Sequence, residues 1–470
     1  MPTTASETES PPAPAASADL AYASALLADA MGQGGSPLNV PASLAGQLWP
    51  YLTAQLDEDG DRRYRGVRSA PDLHAEFAAL EQARPTDPSA PQLALARWPG
   101  AAPFALFLSH DIDQIYDREL FRVVADVNHI RRMLLSGERG SVPLASRRVL
   151  RALFRPKRTL WDFETILALE ARHGFRSTFF VLHDRYWARQ GARFSYDDRE
   201  IREIGRLALA AGCELGVHGG YYRFNDAALY RQSREAMAEA FGVEAVGIRN
   251  HLLRYSFPDT WRAQEAAGFE YDATYGHRSV PGPRSGLAFP FFTYDPQRQE
   301  ASNLLELPLT VMDTSVFRYL RLGGEEALEF CARLTERLAG HGALITLLWH
   351  NNFFNEPEYW DWHMVYERLL ERLAALKPWC ATGAEINRWW RARARVGVEA
   401  KPAENGRWEV RVRPAAPIKD LVIEIADGAR WGTVTVTGAA HELQRRPERW
   451  RVLLPELAAD TAVQLTLTPP

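Results

Sequence analysis

The sequence predicts an α/β fold: a distorted seven-stranded parallel (β/α) barrel followed by a small antiparallel β-sandwich. Three observations carry that expectation. Between residues 101 and 395, short apolar runs alternate with longer amphipathic stretches, as in a parallel sheet with helical crossovers. Histidines, aspartates and an arginine collect at the C-terminal ends of those runs, where parallel barrels gather their reactive groups. From residue 396 to 470, apolar and polar residues alternate singly between turn signals.

Taken in chain order, residues 1–18 are mostly Pro, Ala, Ser and Thr, with almost nothing to bury, and read as a disordered tail. Residues 19–100 carry patches of helical spacing (LAYASALLADAM, PASLAGQLWPYLTAQL) broken by Gly and Pro, a helical lead-in. The barrel strands are expected at FALFLS (104–109), STFFVL (177–182), CELGVH (213–218), AVGIRN (245–250), YDATYG (271–276), LLELPLTVM (304–312) and LITLLW (344–349). Helices such as DDREIREIGRLALAAG and GEEALEFCARLTERLAGHG lie between them, the second ending on Gly. A small all-β domain at 396–470 follows from WEVRVRP, LVIEIAD, TVTVTG, RWRVLLP and AVQLTLTP.

Composition narrows the function. With 46% hydrophobic and 24% charged residues, 470 residues can bury more than one core. A net charge of −4 speaks for no general nucleic-acid or membrane-surface role. Cys213, Cys331 and Cys380 lack metal-knuckle spacing and cannot all pair, which suits a reducing compartment. The N-terminal stretch has no basic start and no apolar run, and no apolar stretch is long enough to span a bilayer. Cytoplasmic placement, no transmembrane segment and no nucleic-acid partner are the expectations.

The polar residues at the strand ends supply the chemistry. His110, Asp111 and Asp113 end the first strand; His218 ends the third; Arg249 and His251 end the fourth; His350 and Asn351 end the seventh. Placed at a rim, such charges avoid the cost of burial in the core. Carboxylate and imidazole ligands without thiolates suit a zinc-like divalent ion. A second carboxylate can take a proton from water, a histidine can return it to the leaving group, and an arginine can hold the base ionised. Asp272, on the fifth strand, and Asp313, ending the sixth, leave two readings open, contact with the site or a bond to a turn, with the turn favoured; the Trp389–Trp390 pair reads as packing.

These motifs resemble the polysaccharide deacetylase family, carbohydrate esterase family 4, known for a NodB-homology domain. LSHDID is similar to a spaced variant of the family's first motif, which implies that Asp111 is the base and Asp113 a metal ligand. STFFVL resembles the second strand, and ELGVHGGYY the metal motif, with His218 as a ligand. GIRNHLLR resembles the third motif, implying that Arg249 braces Asp111, and LLWHNN the last, implying that His350 is the general acid. The resemblance covers roughly Phe104 to Trp390 and implies a divalent metal, zinc-like, and an N- or O-acetylated sugar or glycoconjugate precursor as substrate.

Two departures stand out. Tyr222 lies where the family usually has its second histidine ligand; His251, two residues after Arg249, would supply the missing imidazole, with His277 a more distant substitute. An insertion at 116–160 carries eleven Lys or Arg against four acidic residues; it reads either as a solvated face or, placed beside the mouth, as a lid that would favour an anionic substrate. Two other readings stay open at this stage: a same-fold hydrolase of a small non-sugar amide bond, and a catalytically degenerate carbohydrate-binding protein.

Overall fold

The computed structural model describes residues 73–82, 90–115, 162–183, 194–295, 297–354 and 360–470, with a few helical residues between 127 and 150. The 1–18 tail, most of the 19–100 lead-in and most of the 116–160 insertion lie outside the described residues.

Helix α1 (His74–Gln82) and strand β1 (Leu93–Leu95) precede the barrel. The barrel then runs β2 (Ala105–Ile112), α2 (Phe163–Ala171), β3 (Ser177–Leu182), α3 (Arg199–Ala210), β4 (Glu214–Gly219), α4 (Ala227–Phe241), β5 (Gly247–Asn250), α5 (Asp259–Ala266) and β6 (Tyr271–Asp272). It continues through β7 (Phe291–Asp295), β8 (Glu300–Glu306), β9 (Val311–Met312), α6 (Gly324–Gly340), β10 (Leu344–Leu348), α7 (Trp360–Ala375), β11 (Trp379–Cys380) and α8 (Gly383–Ala394). Sequence makes several of these boundaries sharp. Asp226 caps α4 by accepting from the backbone N–H groups of Ala228 and Leu229, and Gly242 ends that helix in the left-handed conformation.

The strands lie side by side in the order β9, β10, β2, β3, β4, β5, β6, β8, all parallel, with β7 antiparallel on β8. Every residue of β2 and β3 is buried, which explains why these strands read as continuous apolar runs rather than alternating ones. The single strand expected at 304–312 is two. Its first part pairs with β6 (Asp272 opposite Glu306) and its last part with β10 (Leu348 opposite Met312). Between them Pro308 has no N–H to give a ladder, and the segment crosses from one end of the row to the other. Leu307 N–H donates to Asp272 O and Thr310 N–H to Thr346 O, so this segment curls the sheet back on itself.

Tyr271 fills the barrel interior and shapes its neighbours. Its hydroxyl donates to Glu214 Oε1 at 3.0 Å, and a Cβ on Gly247 would lie 2.0 Å from its ring. Glycine is therefore the residue that fits at 247, because the ring occupies the space of a side chain.

Beyond α8 follow β12 (Val396–Pro402), β13 (Trp408–Pro414), β14 (Ile418–Ala426), β15 (Thr433–Thr437), β16 (Glu442–Arg445), β17 (Arg449–Leu457) and β18 (Val463–Thr468). They form two antiparallel four-stranded sheets, β12-β13-β18-β15 and β1-β14-β17-β16. The edge strand β1 comes from the lead-in, so that segment is not wholly helical, and the sandwich borrows a strand from the other side of the barrel. Trp98 Nε1 donates to Gly342 O, Trp389 Nε1 to Arg97 O and Arg393 Nε to Ala96 O, at 2.8–3.0 Å. Trp389 and Trp390 are both buried in this junction. Among the described residues no helix is long and apolar enough to cross a membrane, and Cys213, Cys331 and Cys380 are free thiols.

Candidate functional site

Strand pleating explains the two-residue spacing of the aspartates. Alternate residues face one way, and Arg249 Nη1 donates both to Ser109 Oγ (2.9 Å) and to Asp111 Oδ1 (3.0 Å), which puts Ser109 and Asp111 on the inner face of β2. Asp113 follows two residues later, just past the strand end. His110 faces the other way. Its Nδ1 lies 2.7 Å from Trp349 O and its Nε2 2.8 Å from Glu170 Oε1, in the layer between sheet and helices. Glu170 also accepts from Ser177 Oγ and the Tyr366 hydroxyl. Of the polar residues expected around the mouth, His110 is thus a buried strut rather than a member of the site.

Asp113, His218 and His251 converge, their ligand atoms all within 4.8 Å of one another. Asp113 Oδ1 lies 3.1 Å from His218 Nε2, and Asp113 Oδ2 lies 3.6 Å from His251 Nε2. In-register pairing of β4 with β5 sets His218 opposite Arg249 and puts His251 directly past the next strand end. Several buried polar atoms here make no well-formed hydrogen bond: Asp113 Oδ1, both ring nitrogens of His218, and His251 Nδ1. Buried polar atoms are rarely left so, and one ligand atom from each of Asp113, His218 and His251 meeting within 4.8 Å is what a cation site offers. Burial pushes the His251 imidazole down, against the opposing pull of Asp113, and so favours the neutral form that binds metals. Burial alone would raise the Asp113 carboxyl, but His251, His218 and His350 hold it well below the ordinary carboxylate range.

Asp111 is buried beside this cluster, its Oδ2 3.7 Å from His218 Nε2. Arg249 is fully buried, spans from Asp111 to Ala273 O, and lies 4.5 Å over the Phe180 ring. Asp111 and Arg249 sit inside the mouth rather than at its rim, and mutual pairing offsets the cost of burying them. Opposite them His350 Nε2 lies 3.8 Å from Asp113 Oδ2.

Asp313, open to two readings from the sequence, takes the less favoured one, contact with the site. It accepts from the His350 backbone N–H (2.6 Å), and its Oδ1 lies 2.9 Å from His350 Nδ1, so it fixes the ring with Nε2 facing the site. Burial lowers the His350 imidazole, yet Asp313 and the two site aspartates raise it on balance to about 9. The only signal for Asp313 was its position one residue beyond an apolar strand.

The remaining candidates lie elsewhere. Tyr222 is 42% exposed on the turn after β4, its ring edge-on to Tyr221. His277 is buried outside the cluster, and burial together with Arg284 pushes it down to about 3. Asp272 accepts from Gln264 Nε2 and Thr274 N–H and is paired with Glu306. Burial raises Asp272 to about 6 and Glu306 well above its usual range.

No family model and no curated protein matches this sequence. Solved structures do. The chain is similar to a provisionally assigned polysaccharide deacetylase from Mycobacterium smegmatis, with 18% identity and a TM-score of 0.42 over 66% of this chain and 96% of that one. It is similar to the chitin deacetylase of the fungal pathogen Colletotrichum lindemuthianum, with 12% identity and a TM-score of 0.33 over 62% and 89%. A family 4 carbohydrate esterase from Streptomyces lividans matches at 12% identity and a TM-score of 0.26 over 46% and 81%.

Proposed function

We propose that this chain is a divergent member of the polysaccharide deacetylase family, a metal-dependent hydrolase that removes an acetyl group from an N- or O-acetylated sugar or glycoconjugate. The observation that carries the reading is the meeting of Asp113, His218 and His251 beside two braced groups, Asp111 on Arg249 and His350 on Asp313. A divalent ion, zinc-like given the donor set, fits the converging imidazole nitrogens and carboxylate oxygen of Asp113, His218 and His251. When bound it supplies Lewis acidity, polarising a carbonyl and acidifying water towards neutral pH.

The chain's own residues handle the protons. Arg249 occupies Asp111 Oδ1, which leaves Oδ2 to accept the proton of the attacking water. Asp313 holds His350 by Nδ1, and Nε2 donates a proton to the leaving nitrogen or oxygen. His251 takes the ligand role that Tyr222 does not fill.

The test is metal content by elemental analysis of wild-type, His218→Ala and His251→Ala protein, purified without chelator or affinity-tag nickel. About one ion per chain is expected in the wild type, with loss in both variants. Acetate release from acetylated sugars by the wild type is the second expectation. A wild type that takes up no ion from added zinc would overturn the proposal.

A further inference from the structure

Charge is distributed unevenly around the barrel mouth. The four described loops that leave the strand ends there, residues 219–226, 251–258, 273–290 and 313–323, contain six arginines: Arg223, Arg254, Arg278, Arg284, Arg318 and Arg321. They contain two carboxylates, and both are engaged: Asp226 caps α4, and Asp313 holds His350. A chain with net charge −4 has gathered positive charge at this one opening.

Three of these arginines are held ready rather than neutralised. Arg254, three residues past His251, lies 4.5 Å over the Tyr221 ring and 4.1 Å over the Phe224 ring, and donates from Nη1 to Tyr221 O. Arg318 lies over the rings of Phe353 and Trp362, and Phe353 in turn is 5.9 Å from the His350 ring. Arg278 donates to the Tyr319 hydroxyl at 3.4 Å, and its own carbonyl accepts from Ser315, two residues after Asp313. Among the described residues none of the three has a carboxylate partner. Stacking fixes the plane of a guanidinium while leaving N–H groups on its edge to donate. Arg278 and Arg318 are joined through Tyr319 and Ser315 just past Asp313, with Phe353 linking Arg318 to His350, whereas Arg254 belongs to a different loop, packed on Tyr221 and Phe224.

We infer that the site takes an acetylated sugar carrying a phosphate group, which Arg278 and Arg318 bind at the mouth beside His350 while the acetyl group enters the centre. Phosphate offers several acceptor oxygens to guanidiniums arriving from two loops, whereas a neutral glycan leaves those charges unanswered. The inference rests on the deacetylase reading and deepens it.

The experiment compares acetate release from methyl N-acetylglucosaminide, its 6-carboxylate analogue, and N-acetylglucosamine 1-phosphate and 6-phosphate, at low and high salt. One of the phosphates should exceed the neutral and carboxylate sugars by about tenfold in kcat/KM, through KM, and the preference should shrink with salt. In Arg278→Ala and Arg318→Ala that preference should fall towards one, with Arg318→Lys retaining part of it. Equal use of the neutral sugar, or a carboxylate used as well as phosphate, would overturn the inference while leaving the deacetylase reading intact. Release from none of the four would count against the deacetylase reading. Calorimetry of the same ligands then decides the inference alone: tighter binding of a phosphate supports it, and equal binding refutes it.

Discussion

Asp111 and Asp113 are two residues apart on one face of the chain, yet their partners differ, and the difference separates their roles. Arg249 donates to Asp111, whereas three imidazoles surround Asp113. Asp113→Ala should therefore lose bound metal and turnover together. Asp111→Asn should keep the metal and lower kcat by about 10²- to 10⁴-fold, the usual worth of a general base. Elemental analysis paired with an acetate-release assay reads both, and an active Asp111→Asn protein would remove Asp111 as the base. Asp313 makes a further prediction, since it touches His350 and none of the ligand residues Asp113, His218 and His251. Asp313→Asn should leave metal content unchanged and reduce kcat by roughly 10²-fold, because a misaligned imidazole cannot reach the leaving group.

At the scale of strands and helices, much was legible in the sequence because parallel strands buried on both faces are short apolar runs, and these stand out between amphipathic helices. STFFVL is the strand Ser177–Leu182 to the residue, and His218, Arg249 and His350 lie at or just past strand ends as expected. The split of LLELPLTVM was not legible, because an apolar run does not say which neighbour each half pairs with. The antiparallel strand FFTYD was missed for a similar reason: its run follows a Gly- and Pro-rich loop that reads as irregular. The site pair His350–Asp313 depends on that split segment, and so stayed hidden with it. The seam between β6 and β8 also holds the buried pair Asp272 and Glu306, both with raised pKa values. Their folded-state values exceed the unfolded ones of about 3.9 and 4.3, so the folded protein keeps protons that the unfolded chain releases. The pair's stabilising contribution is full below about pH 4 and falls as pH rises through the Asp272 value of about 6. Asp272→Asn keeps the acceptor for Gln264 and Thr274 and presents a permanent donor to Glu306. It should raise stability at pH 8 by on the order of 2–3 kcal/mol and flatten its fall between pH 5 and 8 in urea titrations.

For the molecule as a whole, the question is what the sandwich does for the barrel. The β1–β2 connector ties it to the barrel's N-terminal end: Ala96 N–H donates to Val422 O of β14, and Trp98 Nε1 to Gly342 O, just before β10. The reactive groups lie at the other end, so the junction supports stability rather than chemistry. One continuous core joins the two parts, with Trp98, Trp390 and Leu95 buried between them, and β1 is tied into a sheet whose other strands come after the barrel. Unfolding one part would expose the other's apolar face and release that strand. The full chain should therefore show a single calorimetric transition with agreement between calorimetric and van't Hoff enthalpies. Trp98→Ala, which empties a fully buried site, should lower the stability of that one transition by about 3–5 kcal/mol. Below its transition temperature the variant should keep the wild-type kcat/KM, because among the described residues Trp98 meets Trp379, Trp390 and Gly342, away from the mouth. Two separate transitions, with only the smaller one shifted, would show instead that the sandwich folds on its own and that the strand crossing between them contributes little.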